Sequence, residues 1–116
     1  MEDGRLMQSM LLDFYGQLLT EKQRECYDLH YNEDLSLSEI AEHSGISRQA
    51  VWDNIHRAEA ALKQTEDKTG LVKRFFETNT LIDSVKAKLE KLLEISEGEA
   101  KRLVEESIDD INSLRI

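Results

Sequence analysis

Apolar residues recur at three- and four-residue steps through most of the chain, the spacing of one helical face. Between Leu6 and Leu19 the series is Leu6, Met7, Met10, Leu11, Phe14, Tyr15, Leu18 and Leu19, which predicts a first helix. Thr20 followed by Gln23 has the form of a capping box, in which a hydroxyl and an amide satisfy orphan N–H groups at a helix start. A second helix is therefore expected from about Glu21 to Tyr31, with Asn32, Glu33 and Asp34 making a turn. Ser36 with Glu39 repeats the box and opens a short third helix carrying Leu37, Ile40 and Ala41. Ser44-Gly45 interrupts it, and Ser47 can cap a fourth helix, running from about Ser47 to Lys63, whose inward positions are Val51, Ile55, Ala58 and Leu62.

Lys68-Thr69-Gly70 marks a boundary. Beyond it Leu71, Phe75, Thr78, Ile82, Val85, Leu89 and Leu92 alternate steps of four and three, a heptad seam with one polar flaw at Thr78. Ser96 with Glu99 has the form of a third capping box, opening a final helix lined by Ala100, Val104, Ser107, Ile111 and Leu114. The expected organisation is a helix-turn-helix domain over 1–66 and a helical extension over 67–116.

Composition agrees with an all-α fold. Proline is absent and there are five glycines, so little interrupts a helix. With 116 residues the chain has room for one compact domain and an appendage, which excludes a multidomain enzyme. It is 40% hydrophobic and 34% charged, enough apolar material for a core. The net charge of -9 opposes unselective adhesion to nucleic acid or anionic membrane, so any polyanion must be met locally. Residues 1–35 carry 3 basic and 8 acidic groups, 36–66 carry 3 and 5, and 67–116 carry 9 and 11. No run approaches the roughly eighteen apolar residues of a membrane span. The acidic start, Met1 to Gly4, is unlike a signal peptide, so a cytoplasmic location is expected. A single cysteine, Cys26, agrees with a reducing compartment.

The informative segment is Leu37 to His56, LSEIAEHSGISRQAVWDNIH. Two short helices flank a glycine turn, Ala41 is small where they cross, and Ile40, Ile46, Val51 and Ile55 close a small core. This spacing specifies a helix-turn-helix. If the second helix enters a major groove, Ser47, Arg48, Gln49, Trp52, Asp53 and His56 face bases or backbone. Arg48 is the leading base or phosphate contact. Gln49 can read adenine bidentately, Arg57 and Lys63 can reach phosphate, and the helix N-terminus offers N–H groups to an anion. The nucleic-acid-binding set is therefore Ser47, Arg48, Gln49, Trp52, His56 and Arg57. Asp53, Glu42 and Glu59 oppose phosphate, although a carboxylate can accept from cytosine N4. Trp52 has two roles open to it: exposed, it stacks or meets a thymine methyl; buried, it packs against a partner element.

Other chemistry is weakly represented. Cys26 and His30 share a helical face at i and i+4, with His43 and His56 as further candidates, but the spacing of a zinc knuckle is missing and a core cysteine is the plainer reading. No Gly-rich phosphate loop, nucleophile triad or paired-carboxylate cleft is recognisable, so neither an enzyme nor a cofactor is expected. An amphipathic helix as long as the seam needs a partner, either within the chain or across a two-fold axis. Reading two half-sites favours a homodimer.

The stretch LSLSEIAEHSGISRQAVWDNIHRAEAAL resembles region four of bacterial sigma factors, where a similar EIA, G-I-S and R-A series forms the promoter-reading helix-turn-helix. A likeness over nearly the whole chain, from LLDFYGQLLTEKQRECYDLHYNEDLSLSEIAE through ISRQAVWDNIHRAE into the charged heptad tail, is to the small YlxM-type proteins. The resemblance implies a sigma-like helix-turn-helix protein that takes part in or regulates the signal recognition particle pathway, with that particle's protein or RNA as an alternative partner to duplex DNA. Sigma region four commonly carries basic residues where this chain has Trp52, Asp53 and Asn54. Gly98 to Ile116 is expected to extend beyond the family's usual length.

Overall fold

The computed structural model describes residues 2–114, so Met1, Arg115 and Ile116, which belong to the two terminal segments considered above, lie outside the described residues. The described residues form six α-helices and no strand: α1 (Glu2–Tyr15), α2 (Glu21–Tyr31), α3 (Leu37–Ser44), α4 (Arg48–Thr69), α5 (Leu71–Glu94) and α6 (Gly98–Ser113), with a 3-10 turn at Gly16–Leu18 between the first two. The fold is all-α, as the periodicity implies. Contacts gather into two compact units, Met1–Val72 and Lys73–Ile116.

In the first unit both expected capping boxes form. The Thr20 hydroxyl accepts from the Gln23 N–H while the Gln23 side chain accepts from the Thr20 N–H, and Ser36 and Glu39 exchange the same pair of bonds. These fix where α2 and α3 start. Gly45 ends α3 at φ 70°, a left-handed conformation that an L side chain enters only at a cost, and its N–H bonds the Ala41 carbonyl. The Ser47 hydroxyl then accepts from the Ala50 N–H at 3.0 Å and α4 begins.

The core lies where α2, α3 and α4 meet. Cys26, Ile40, Val51 and Ile55 are buried together, with Leu29, Leu35, Leu37, Ala41 and Ile46 packed round them. Farther along α4, Ala58 and Leu62 are also buried, so the four inward positions read from the sequence are all in the core. Helix α1 lies against α2 and α4, burying Leu11 and Tyr15. The α-helical part of this first segment stops at Tyr15, short of the expected Leu19. Gly16 is buried so close to Leu12 that a Cβ there would stand 3.2 Å from Leu12 Cδ1, and the chain tightens into the 3-10 turn. Leu18 consequently faces solvent at 67% exposure, while Leu19 is buried in extended backbone.

Tyrosine hydroxyls tie the helices together. Tyr27 Oη donates to the Gln8 carbonyl at 2.9 Å, Tyr31 Oη to Glu59, and Tyr15 Oη to Glu66 Oε1 at 2.6 Å. The same Glu66 oxygen accepts the Val72 N–H at 3.1 Å. Arg5 bridges to Asp34 and to the Tyr31 carbonyl at 3.0 Å, closing α1 over the end of α2. Asp34 turns the chain there at φ 60°.

The second unit holds most of α5 and α6, joined through Ile95 to Glu97. The third capping box does not form. Glu97 is the N-cap of α6 and makes no side-chain bond, while Ser96 Oγ donates back to the Leu92 carbonyl at 2.5 Å. A helix capped at Ser96 would need helical φ at Gly98, which stands at φ 61°. The heptad seam also divides. Ile82 is buried and Phe75 and Leu89 are partly covered, whereas Leu71, Thr78, Val85 and Leu92 are exposed.

Two stability tests follow from these contacts. Gly45→Ala meets open space around the new Cβ but keeps the strained φ, so thermal or urea unfolding should report a loss of about 1 kcal/mol. Burial, then the hydrogen bond to Glu59, push the Tyr31 hydroxyl up to about 12, and burial raises Tyr27 further. A proton held more tightly in the folded chain stabilises it below the unfolded value of 10, and that stability is lost as pH rises toward about 12. Urea midpoints should therefore fall between about pH 9 and pH 12, less steeply in Tyr31→Phe.

Candidate nucleic-acid interface

With one side of α4 committed to the core, helical geometry assigns the opposite side. Arg48, Trp52 and His56 follow one another at i, i+4 and i+8 in one row, and Gln49, Asp53 and Arg57 make the adjacent row. Ser47, Arg48, Gln49, Trp52, His56 and Arg57 are all exposed. Asp53 is half-buried. The structure thus brings Arg48, Gln49, Trp52 and His56 to one face, with Ser47 at its start and Arg57 at its side.

Trp52 is 44% exposed, so the role of a core aromatic is not the one it plays. Its indole stacks on the His56 imidazole, ring centroids 3.7 Å apart and planes inclined by 23°. His56 Nδ1 lies 3.0 Å from the Trp52 carbonyl oxygen, which holds the imidazole over the helix surface. Gln49 Nε2 donates to Asp53 Oδ1 at 3.2 Å, an exposed bond that a base edge can replace at little cost. The Ser47 hydroxyl accepts the Ala50 N–H and keeps its own proton available for donation.

An open cleft runs between the starts of α3 and α4, lined by Ser36, Leu37, Ser38, Ser47, Arg48, Gln49 and Trp52. In both helices the capping hydroxyl takes the third N–H, and the fourth bonds the cap carbonyl. The N–H groups of Leu37, Ser38, Arg48 and Gln49 are left without intrahelical acceptors, and these four residues line the cleft. Sequence reasoning applied the N-terminal argument to α4 and overlooked α3. The Ser36 and Glu39 capping box was the available signal, because it fixes where the second set of orphan donors falls.

Of the carboxylates that oppose phosphate, Glu59 accepts a hydrogen bond from Tyr31 and Asp53 from Gln49. Two other acids of these helices do the same, Glu66 from Tyr15 and the Val72 N–H, and Glu39 from the Ser36 N–H. Glu42 remains exposed on α3. The residues considered for a metal are dispersed. Cys26 is fully buried in the core, where desolvation pushes its thiol up, and His30 Nδ1 lies 3.0 Å from the Leu35 carbonyl. His43 and His56 stand exposed on α3 and α4. Among the described residues no three His, Cys, Asp or Glu side chains gather as a metal site would need.

Comparison with known proteins bears on the whole chain. The model of family UPF0122, described as "Putative helix-turn-helix protein, YlxM / p13 like", matches residues 2–102. A UPF0122 protein of Thermoanaerobacter sp. (strain X514) is 42% identical over 117 residues, covering 100% of both chains. One from Bacillus mycoides (strain KBAB4) is 48% identical over 95 residues, 82% of this chain and 86% of its own. Another from Clostridium kluyveri is 58% identical over 70 residues, 60% of this chain and 63% of its own. The expectation that Gly98 to Ile116 extends beyond the family is corrected for at least one relative, since the Thermoanaerobacter protein aligns across it. The motif over α3 and α4, the all-helical architecture and these likenesses agree, and the chain belongs to the UPF0122 family of YlxM/p13-like helix-turn-helix proteins.

Proposed function

We propose that this protein binds duplex DNA as a regulator, with α4 as the recognition helix in the major groove. The observation that carries this reading is the union of two features on one surface: the Arg48, Trp52 and His56 row, and the cleft of orphan N–H groups beside it. The cleft suits a backbone phosphate, which positions the helix without reading sequence. Arg48 and Gln49 then supply the base-edge contacts, Arg to guanine and Gln to adenine once it leaves Asp53. The open face of Trp52 meets a thymine methyl or sugar, His56 supports the indole, and Arg57 and the Ser47 hydroxyl bind the flanking backbone. The protein acts in the cytoplasm as a homodimer, so that two α4 helices meet two half-sites.

A second reading draws on the net charge of -9, which is unusual for a surface that must approach a polyanion. In it the sigma-like scaffold has lost DNA readout and α4 docks on a protein or RNA component of the signal recognition particle pathway, the partner that the family resemblance implies. A pull-down from cells that retains that particle intact, yet recovers none of its protein or RNA with this chain, would count against it.

Selection from a random duplex library at moderate salt separates the two. The first reading expects an enriched, roughly palindromic site that is lost in the Arg48→Ala, Gln49→Ala double variant, with Arg48→Ala alone weakening binding by about 1 to 3 kcal/mol. No enrichment above the double variant would remove DNA readout. Asp53→Asn should strengthen duplex binding on any sequence by roughly two- to fivefold, the scale of one screened charge, as read by titration of Trp52 fluorescence. Unchanged emission from this sole tryptophan on adding duplex would place the contact elsewhere.

A further inference from the structure

Helix α5 carries a second apolar stripe in addition to its covered face. Leu81, Val85, Lys88 and Leu92, continued by Ile95 in the turn just past the helix end, follow steps of four, three, four and three, the spacing of a docking seam, and all five are exposed. The stripe is nearly symmetric about Lys88. Helix α6 with its C-cap Leu114 carries a shorter counterpart: Leu103, Ser107, Asp110 and Leu114 follow steps of four, three and four, with an aspartate where α5 has a lysine. Leu103 and Leu114 are exposed, and neither Lys88 nor Asp110 makes an ion pair among the described residues. The neighbouring α6 acids Glu99 and Glu106 are already bridged by Arg102.

We propose that these stripes are the two halves of a self-association surface, α5 of one copy receiving α6 of a second copy, with Lys88 opposite Asp110. Charge decides the pairing. An α5-to-α5 contact centred on the stripe, parallel or antiparallel, sets Lys88 against Lys88 while desolvating both; α6-to-α6 sets Asp110 against Asp110 when parallel and against the Ser107 hydroxyl when antiparallel, and in neither case supplies it a cation. Only the crossed arrangement covers both stripes and pairs the two charges, and a two-fold axis repeats it for the other α5 and α6. The surface deepens the dimer in the proposed function by naming where it forms. It is tested on the full chain without DNA, so its failure and that of DNA readout are separable.

Sedimentation equilibrium over a concentration series gives the test. The unaltered chain self-associates reversibly to a dimer. Lys88→Glu and Asp110→Lys each weaken the dimer at least about tenfold, and the two substitutions combined restore it to within about threefold. Both side chains are exposed, so helicity by circular dichroism should hold. If a reversal unfolds the chain, Lys88→Gln and Asp110→Asn probe the same contact, each weakening the dimer. A chain that stays monomeric, a dimer indifferent to Asp110, or failure of the doubly reversed chain to recover overturns the proposal.

Discussion

One side of α4 is buried over about three turns, from Val51 to Leu62, and the first unit is arranged around that commitment. The long helix closes the small core beneath the turn at one end and receives α1 and α2 along the rest. Because an α-helix is stiff along its hydrogen-bonded axis, fixing the inward residues also fixes the direction of every outward one. Arg48, Trp52 and His56 are therefore aimed by a core buried on the opposite side of the helix. The cleft beside them has the same origin, since two caps set where α3 and α4 begin and so where their unbonded N–H groups point.

Much of this was legible in the sequence because it is local. The boxes at Thr20 and Ser36 and the glycine at position 45 determine bonds within four residues, and the chain makes those bonds. Val51, Ile55, Ala58 and Leu62 were legible because their period agrees with a single buried face. The failures have equally physical causes. Ser96 and Glu99 have the letters of a box, but Gly98 takes a conformation that denies Ser96 the cap position. Along α5 the apolar arc is wide enough to hold two stripes, and steps of four and three merged them into one seam. The fate of Trp52 and of the carboxylates depends on tertiary neighbours, above all on which acids find a tyrosine.

That last point changes how the chain's acidity bears on recognition. Glu59 and Glu66 accept hydrogen bonds from Tyr31 and Tyr15 and serve as internal fastenings between helices. Asp53 is held by its own neighbour in the row. Net charge summed over a sequence treats these groups as equal to a carboxylate in open water, whereas their placement and partners differ. The sign of the surface that meets a ligand is set locally by what remains outward, here Arg48, Arg57 and the starts of two helices, set against Asp53 and Glu42.

The separation of inward and outward sides on α4 has a consequence for how such a protein can change. Arg48, Gln49, Trp52 and His56 are exposed and none of them is a cap, so substitutions there carry a smaller penalty in folding than those at the inward positions. The scaffold can therefore exchange one set of recognition residues for another while its interior stays the same. This makes the outward rows of α4 a replaceable head on a fixed stem, open to redesign toward new ligands.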